Sequence, residues 1–221
     1  MPVYHHLGDI PRKRHTVFRQ PNGTLYYEEL MGNKGFVGPS SLLYHVYRPT
    51  EVREVRVVKQ LEWQSEADRK LCHRHFRTHA LAAAGPSPTV HRTPLLFNND
   101  VALSLARPSR DDDFFYRNAQ GDEIVYIAEG SGVMESQFGD LPFQTGDYVV
   151  IPRGILHRYR LTRPGIFLII ESSGEVRTPK RYRNDYGQLT EMAPYSERDF
   201  RVPQSLPLHR ERGEHRVAVK K

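Results

Sequence analysis

The chain has 221 residues, a single cysteine and a formal net charge of +6. That length accommodates one sizeable core with a smaller appendage. One cysteine excludes a disulfide framework and a thiolate zinc site. The basic residues at 12–15, 69–77, 177–183 and in the C-terminal tail are interleaved with acids and carry no nucleic-acid-binding motif, so they read as solvated surface with no nucleic-acid partner.

The opening MPVYHHLGDIPRKRH has charges where a signal peptide needs an apolar stretch, and no apolar run reaches membrane-span length. A cytoplasmic protein without a membrane partner is expected. Residues 1–60 read as an extended, β-rich arm. A Pro21-Asn22-Gly23 turn leads into 24–31, residues 42–47 are aromatic-rich and read as a buried strand, and 52–58 alternate charge with valine as an exposed strand would.

Residues 62–84 are the one predicted helix, opened by Ser65-Glu66-Ala67-Asp68 and ended by Gly85-Pro86. It would place His75 and His79 on one face, with His73 close by. No carboxylate stands at the offset that would complete a metal site, and Arg74 and Arg77 add positive charge, so a solvated polar face is expected. Cys72 reads as incidental. After a loop at 85–88, strands are predicted at 95–97 and 101–105 around an Asn98-Asn99-Asp100 turn, and 107–113 form a charged connection.

The stretch 114–171 dominates the chain. Strand-length apolar runs at 124–128, 133–137, 148–151, 157–161 and 166–171 are separated by Glu129-Gly130-Ser131-Gly132, Phe138-Gly139-Asp140, Thr145-Gly146-Asp147, Pro152-Arg153-Gly154 and Arg163-Pro164-Gly165. Such spacing predicts antiparallel hairpins closing into a small sandwich or barrel. Beyond it, 177–191 read as a long surface or subunit-contacting loop and 217–221 as the beginning of a strand. No internal repeat, phosphate-cradling loop or serine-hydrolase elbow is present.

Gly146, five residues, Pro152-Arg153-Gly154, two residues and His157 complete the spacing G-x5-P-x-G-x2-H, which resembles the second motif of the cupin family. The first cupin motif opens with His-x-His. Here Tyr116-Arg117-Asn118 stands in that place, while Glu123 and the glycines of Glu129-Gly130-Ser131-Gly132 are kept. The resemblance implies a mainly β fold: a cupin-type antiparallel β-barrel (jelly roll) over 61–203, with the 1–60 arm, one short helix, and a basic tail or start of a linker at 204–221. Turn glycines and prolines serve a barrel with or without a metal, whereas a facial metal site needs two or three imidazoles and a carboxylate on one face. Glu123 and His157 supply two ligands, to which Tyr116 and Asn118 could add only a phenolate and a carbonyl. The four are expected to line a vestigial pocket with no metal, and no catalytic residue is assigned.

A narrower resemblance runs in order along the chain. Leu25-Tyr26-Tyr27-Glu28-Glu29-Leu30-Met31-Gly32, Pro39-Ser40-Ser41, Leu43-Tyr44 to Arg48-Pro49, Phe114 to Asp122 and Met192 to Pro203 are similar to segments of the N-terminal part of homogentisate 1,2-dioxygenases. That family's first cupin is itself degenerate, and its iron ligands lie in a second, C-terminal cupin that this sequence does not contain. The resemblance implies the non-catalytic cupin portion of a ring-cleaving enzyme of tyrosine and phenylalanine breakdown. The full-length enzyme would use Fe(II) on a small aromatic substrate and assemble as a trimer or a dimer of trimers, with this chain holding no cofactor of its own. The alternatives are a stand-alone isomerase- or epimerase-type cupin, with His157 as base and Tyr116 as acid, and a binding or scaffold module.

Overall fold

The computed structural model describes residues 7–8, 17–32, 35–38, 40–66, 70 and 72–221, and it is mainly β. In chain order the strands are β1 (Tyr27–Gly32), β2 (Ser40–His45), β3 (Thr93–Phe97), β4 (Val101–Ala106), β5 (Phe115–Asn118), β6 (Asp122–Ser136), β7 (Gly139–Gln144), β8 (Tyr148–Ile151), β9 (His157–Ser172) and β10 (Val217–Lys220). β1 and β2 make a separate antiparallel ribbon. The other eight form one sheet that curls into a half-barrel.

β6 and β9 are each the fusion of two expected strands. Their Gly-rich interruptions lie opposite one another in the β6–β9 ladder, where the register shifts three times between Ile127 and Gly132. At Gly132 a Cβ would lie 2.1 Å from the Arg160 carbonyl oxygen. The glycines therefore let two long paired strands approach and bend together, instead of ending them. The bend lets β9 use both its edges: residues 167–172 pair with β4 and residues 166–172 with the start of β6, while residues 157–163 pair with the end of β6. At the end of this segment His157 also faces Tyr116 of β5. β7, not foreseen in the sequence, closes a hairpin on β6 through the Gln137-Phe138 turn.

Alternation puts Val125, Ile127, Met134, Phe143, Val149, Ile151, Tyr159, Phe167 and Ile169 inside the curl. Phe143, Tyr159 and Phe167 meet with ring centroids 5.6–5.7 Å apart, two of the three contacts edge-on, as ring quadrupoles favour. The β3–β4 turn is fixed by the Asn98 side-chain oxygen, which accepts from the backbone N–H groups of Asp100 and Val101.

Three expectations for the N-terminal third need correction. Among the described residues of 62–84 there is no α-helix, only a 3-10 turn at Thr78–Ala80; residues 67–69 and 71 lie outside the described residues. Most of the described positions there are exposed, so no apolar face packs, and a short helix without one is marginal in water. His73, His75 and His79 are consequently not brought onto a shared helical face. Trp63 instead packs on Phe97, the ring centroids 5.1 Å apart and the rings tilted by 54°. Residues 52–58 are exposed and join no ladder. Residues 42–45 do form strand, in the outer ribbon and only partly covered. The buried position expected for them is taken by sheet strands.

Candidate functional site

The four residues singled out in the sequence all point into the curl, and three of them are bonded together. Asn118 ends β5. Its side-chain oxygen accepts from the backbone N–H groups of Gln120 and Gly121 (2.9 and 3.2 Å), which fixes the turn into β6 and aims the amide nitrogen inward. That nitrogen donates to Glu123 Oε1 at 2.9 Å and to Glu171 Oε2 at 3.0 Å. The Tyr116 hydroxyl donates to Glu123 Oε1 at 3.2 Å. His157 begins β9 after the Pro152–Ile155 turn, in which Gly154 has a φ of 86° that suits glycine. Its ring stands edge-on to Tyr116 at 5.5 Å. Nδ1 lies 3.0 Å from the Ile155 carbonyl oxygen, and Nε2 is buried without a hydrogen-bond partner.

Arg92, Glu171 and Lys220 complete the cluster and were not foreseen. Glu123 and Glu171 are direct cross-strand partners on β6 and β9, an arrangement of like charges that is unfavourable by itself. Arg92, just before β3, resolves it. Nη1 donates to Glu123 Oε1 at 3.0 Å and to Glu171 Oε1 at 3.1 Å, and Nη2 donates to Glu123 Oε2 at 2.9 Å. The guanidinium thus forks onto one carboxylate and bridges to the other. It also lies 5.3 Å from the Tyr116 ring centroid. Lys220 of β10 donates to Glu171 Oε2 and sits 5.2 Å from the Trp63 ring centroid. Two carboxylates thus face an arginine and a lysine.

Glu171 was legible in principle: it follows Phe167 and Ile169 at period two, so an inward carboxylate could be read from alternation. Lys220 likewise shares the inner face of β10 with Ala218. Nothing in His91-Arg92-Thr93 marks Arg92.

Burial acts on these groups unequally. It would raise the Glu123 carboxyl, but the charge and hydrogen bonds of Arg92, with His157 and Asn118 adding to them, outweigh it and hold Glu123 at about 2. Burial raises the Tyr116 hydroxyl far above the ordinary phenol value, with the neighbouring carboxylates adding to the effect, so Tyr116 is a poor acid. Burial lowers His157 and prevails over the opposing pull of Glu123.

An Fe(II) ion of the kind the cupin resemblance implies does not fit these residues. The expected carboxylate ligand is already engaged on both oxygens by an arginine that cannot lose its charge, and one imidazole nitrogen is the only unengaged donor of the expected set. Among the described residues no three His, Cys, Asp or Glu side chains converge to hold an ion.

A second buried carboxyl, Asp112, lies beside the cluster. It accepts from the hydroxyls of Ser87 and Thr89 and from the Tyr159 N–H. Burial pushes it up to about 6, against the pull of these bonds and of Arg92. The folded chain therefore retains a proton that the unfolded chain releases near pH 4. The associated stability is fully present below that value and is lost as pH rises through about 6. Urea unfolding at pH 4.5 and pH 7 should show a loss of about 2 kcal/mol from this group, and Asp112→Asn should remove that component. A wild-type chain whose pH dependence matches that of the variant would contradict the assignment.

No protein-family model matches the chain. Over its whole length it is 36% identical to a protein of Saccharolobus solfataricus named "Putative dioxygenase", and the alignment covers 56% of that relative. A 71-residue segment, 28% of this chain, is 40% identical to an acireductone dioxygenase of Rhodopseudomonas palustris and covers 42% of it. The chain thus spans about half the length of the curated relatives it matches. Similar solved structures include KdgF from a Halomonas species (17% identity, TM-score 0.40, covering 47% of this chain and 96% of that one). An RmlC-like cupin from Shewanella frigidimarina is also similar (15% identity, TM-score 0.39, covering 47% and 92%). No helix among the described residues is long and apolar enough to cross a membrane.

Proposed function

We propose that this chain is the non-catalytic cupin portion of a ring-cleaving dioxygenase of the homogentisate type. It packs against a catalytic barrel and contributes to the oligomer, while the Fe(II) chemistry takes place in the partner barrel. The observation that carries the reading is the filled site: both Glu123 oxygens are taken by Arg92, and Glu171 and Lys220 close the remaining charges. A working dioxygenase centre must leave coordination positions open for substrate and O2. Whole-length similarity to a longer relative named as a dioxygenase supports the same reading.

The test is His157→Phe in the longer polypeptide that joins this chain to a catalytic barrel, assayed by O2 consumption with homogentisate. His157 Nε2 has no partner to lose, so a folded variant should keep activity within about twofold, whereas loss of a metal ligand or general base costs about a hundredfold or more. A folded variant that loses activity on that scale would overturn the reading.

A further inference from the structure

The best-built polar feature of the barrel has no role in that reading beyond being closed. Its centre is the Nη1 atom of Arg92, on which two carboxylates from adjacent strands converge at 3.0 and 3.1 Å. The Asn118 amide closes one side, donating to both carboxylates. Side-chain exposure is 1% for Glu123, 10% for Glu171 and 9% for Arg92. His157 presents a fully buried, unpartnered Nε2 whose ring feels the charges of both Glu123 and Arg92. Its other ring nitrogen is tied to the Ile155 carbonyl, which turns Nε2 away from the backbone and into the barrel.

Without the guanidinium, Glu123 and Glu171 would face each other across the ladder, with only Lys220 beside Glu171. A buried pair of carboxylates in that state either takes up a proton or takes up another cation. The space freed by a guanidinium exceeds that of a metal ion, and contacts of about 3 Å need to shorten by roughly 1 Å to reach metal–oxygen distances of about 2.1 Å. Two carboxylates suit a hard, Mn(II)-like divalent ion whose remaining positions are taken by water.

We propose that Arg92 is the resident cation of this barrel, standing where a divalent metal ion would join Glu123 and Glu171, so that removing its guanidinium turns the closed cluster into a metal site. Arg92 and Glu171 lie outside the motif that carries the cupin resemblance, and the inference stands on the cluster geometry. Only its consequence, that iron is kept out of this half of a longer enzyme, rests on the proposed function.

The experiment uses the 221-residue chain as wild type, Arg92→Ala, Arg92→Lys and Arg92→Ala/Glu123→Gln. Each is refolded with and without Mn(II), desalted, and measured for metal content and thermal midpoint. Arg92→Ala should retain about one Mn(II) per chain and gain thermal stability with it, at least tenfold more metal than wild type or Arg92→Lys. The Glu123→Gln double variant should lose that metal. Stoichiometric Mn(II) in wild type would overturn the proposal. So would an Arg92→Ala chain that binds none, one that folds under neither condition, or retention that is indifferent to Glu123. None of these readouts depends on ring cleavage, so failure here and failure of the proposed function are separable.

Discussion

Replacing Glu123 with alanine should lower the unfolding free energy of the chain by about 3 kcal/mol. Breaking a buried ion pair by removing one partner costs about 3–5 kcal/mol, because the remaining charge is left uncompensated. Here the lower part of that range applies, since Arg92 keeps its bond to Glu171. The Asn118 amide and the Tyr116 hydroxyl lose an acceptor in the same step, which works in the other direction. The apolar double replacement Arg92→Met/Glu123→Leu should recover a large part of the loss, because it removes both desolvation penalties at once. Urea unfolding followed by circular dichroism at pH 7 measures both. A Glu123→Ala chain as stable as wild type would mean that the cluster contributes nothing to folding, and would remove the basis for regarding Arg92 as built in.

The apolar side of the barrel predicts a loss at least as large. Phe167 is fully buried, pairs with Ile127 on β6 and Ala106 on β4, and packs on Phe143 and Tyr159. Phe167→Ala should cost about 3–5 kcal/mol, the transfer term plus the cavity left among rigid strands. Phe167→Leu preserves more of the volume and should cost less than half as much. Equal effects of the two replacements would show that the interior collapses to fill space, and that the aromatic trio is not a rigid packing unit.

Legibility in the sequence followed the range of the interactions. Turn chemistry is local, so Gly146, Pro152 and Gly154 with their spacing to His157 announced the hairpins, and alternation announced which side chains face inward. The same residues placed Tyr116, Asn118, Glu123 and His157 on one interior surface. Two things were not local. The interruptions at 129–132 and 163–165 read as chain reversals, because nothing in either segment alone reveals that the other lies opposite it. Arg92 could not be found at all. Its significance arises from the meeting of Glu123 and Glu171 across a ladder, 31 and 79 residues further along the chain. The expected helix at 62–84 failed for a related reason: its capping signals were present, but no sheet surface receives its face.

β10 lies parallel to β5, held by backbone bonds from Phe115 to Arg216 and from Ala119 to Lys220, at a separation of about a hundred residues. Parallel pairing over such a distance has a large loop-closure cost and forms late. Until it forms, the outer edge of β5 displays unsatisfied amides and carbonyls, and Glu171 lacks its lysine. The nascent barrel is therefore a sticky template, open to a neighbouring chain's strand in place of its own. Yield on refolding should be governed by concentration well before it is governed by the stability of the finished core.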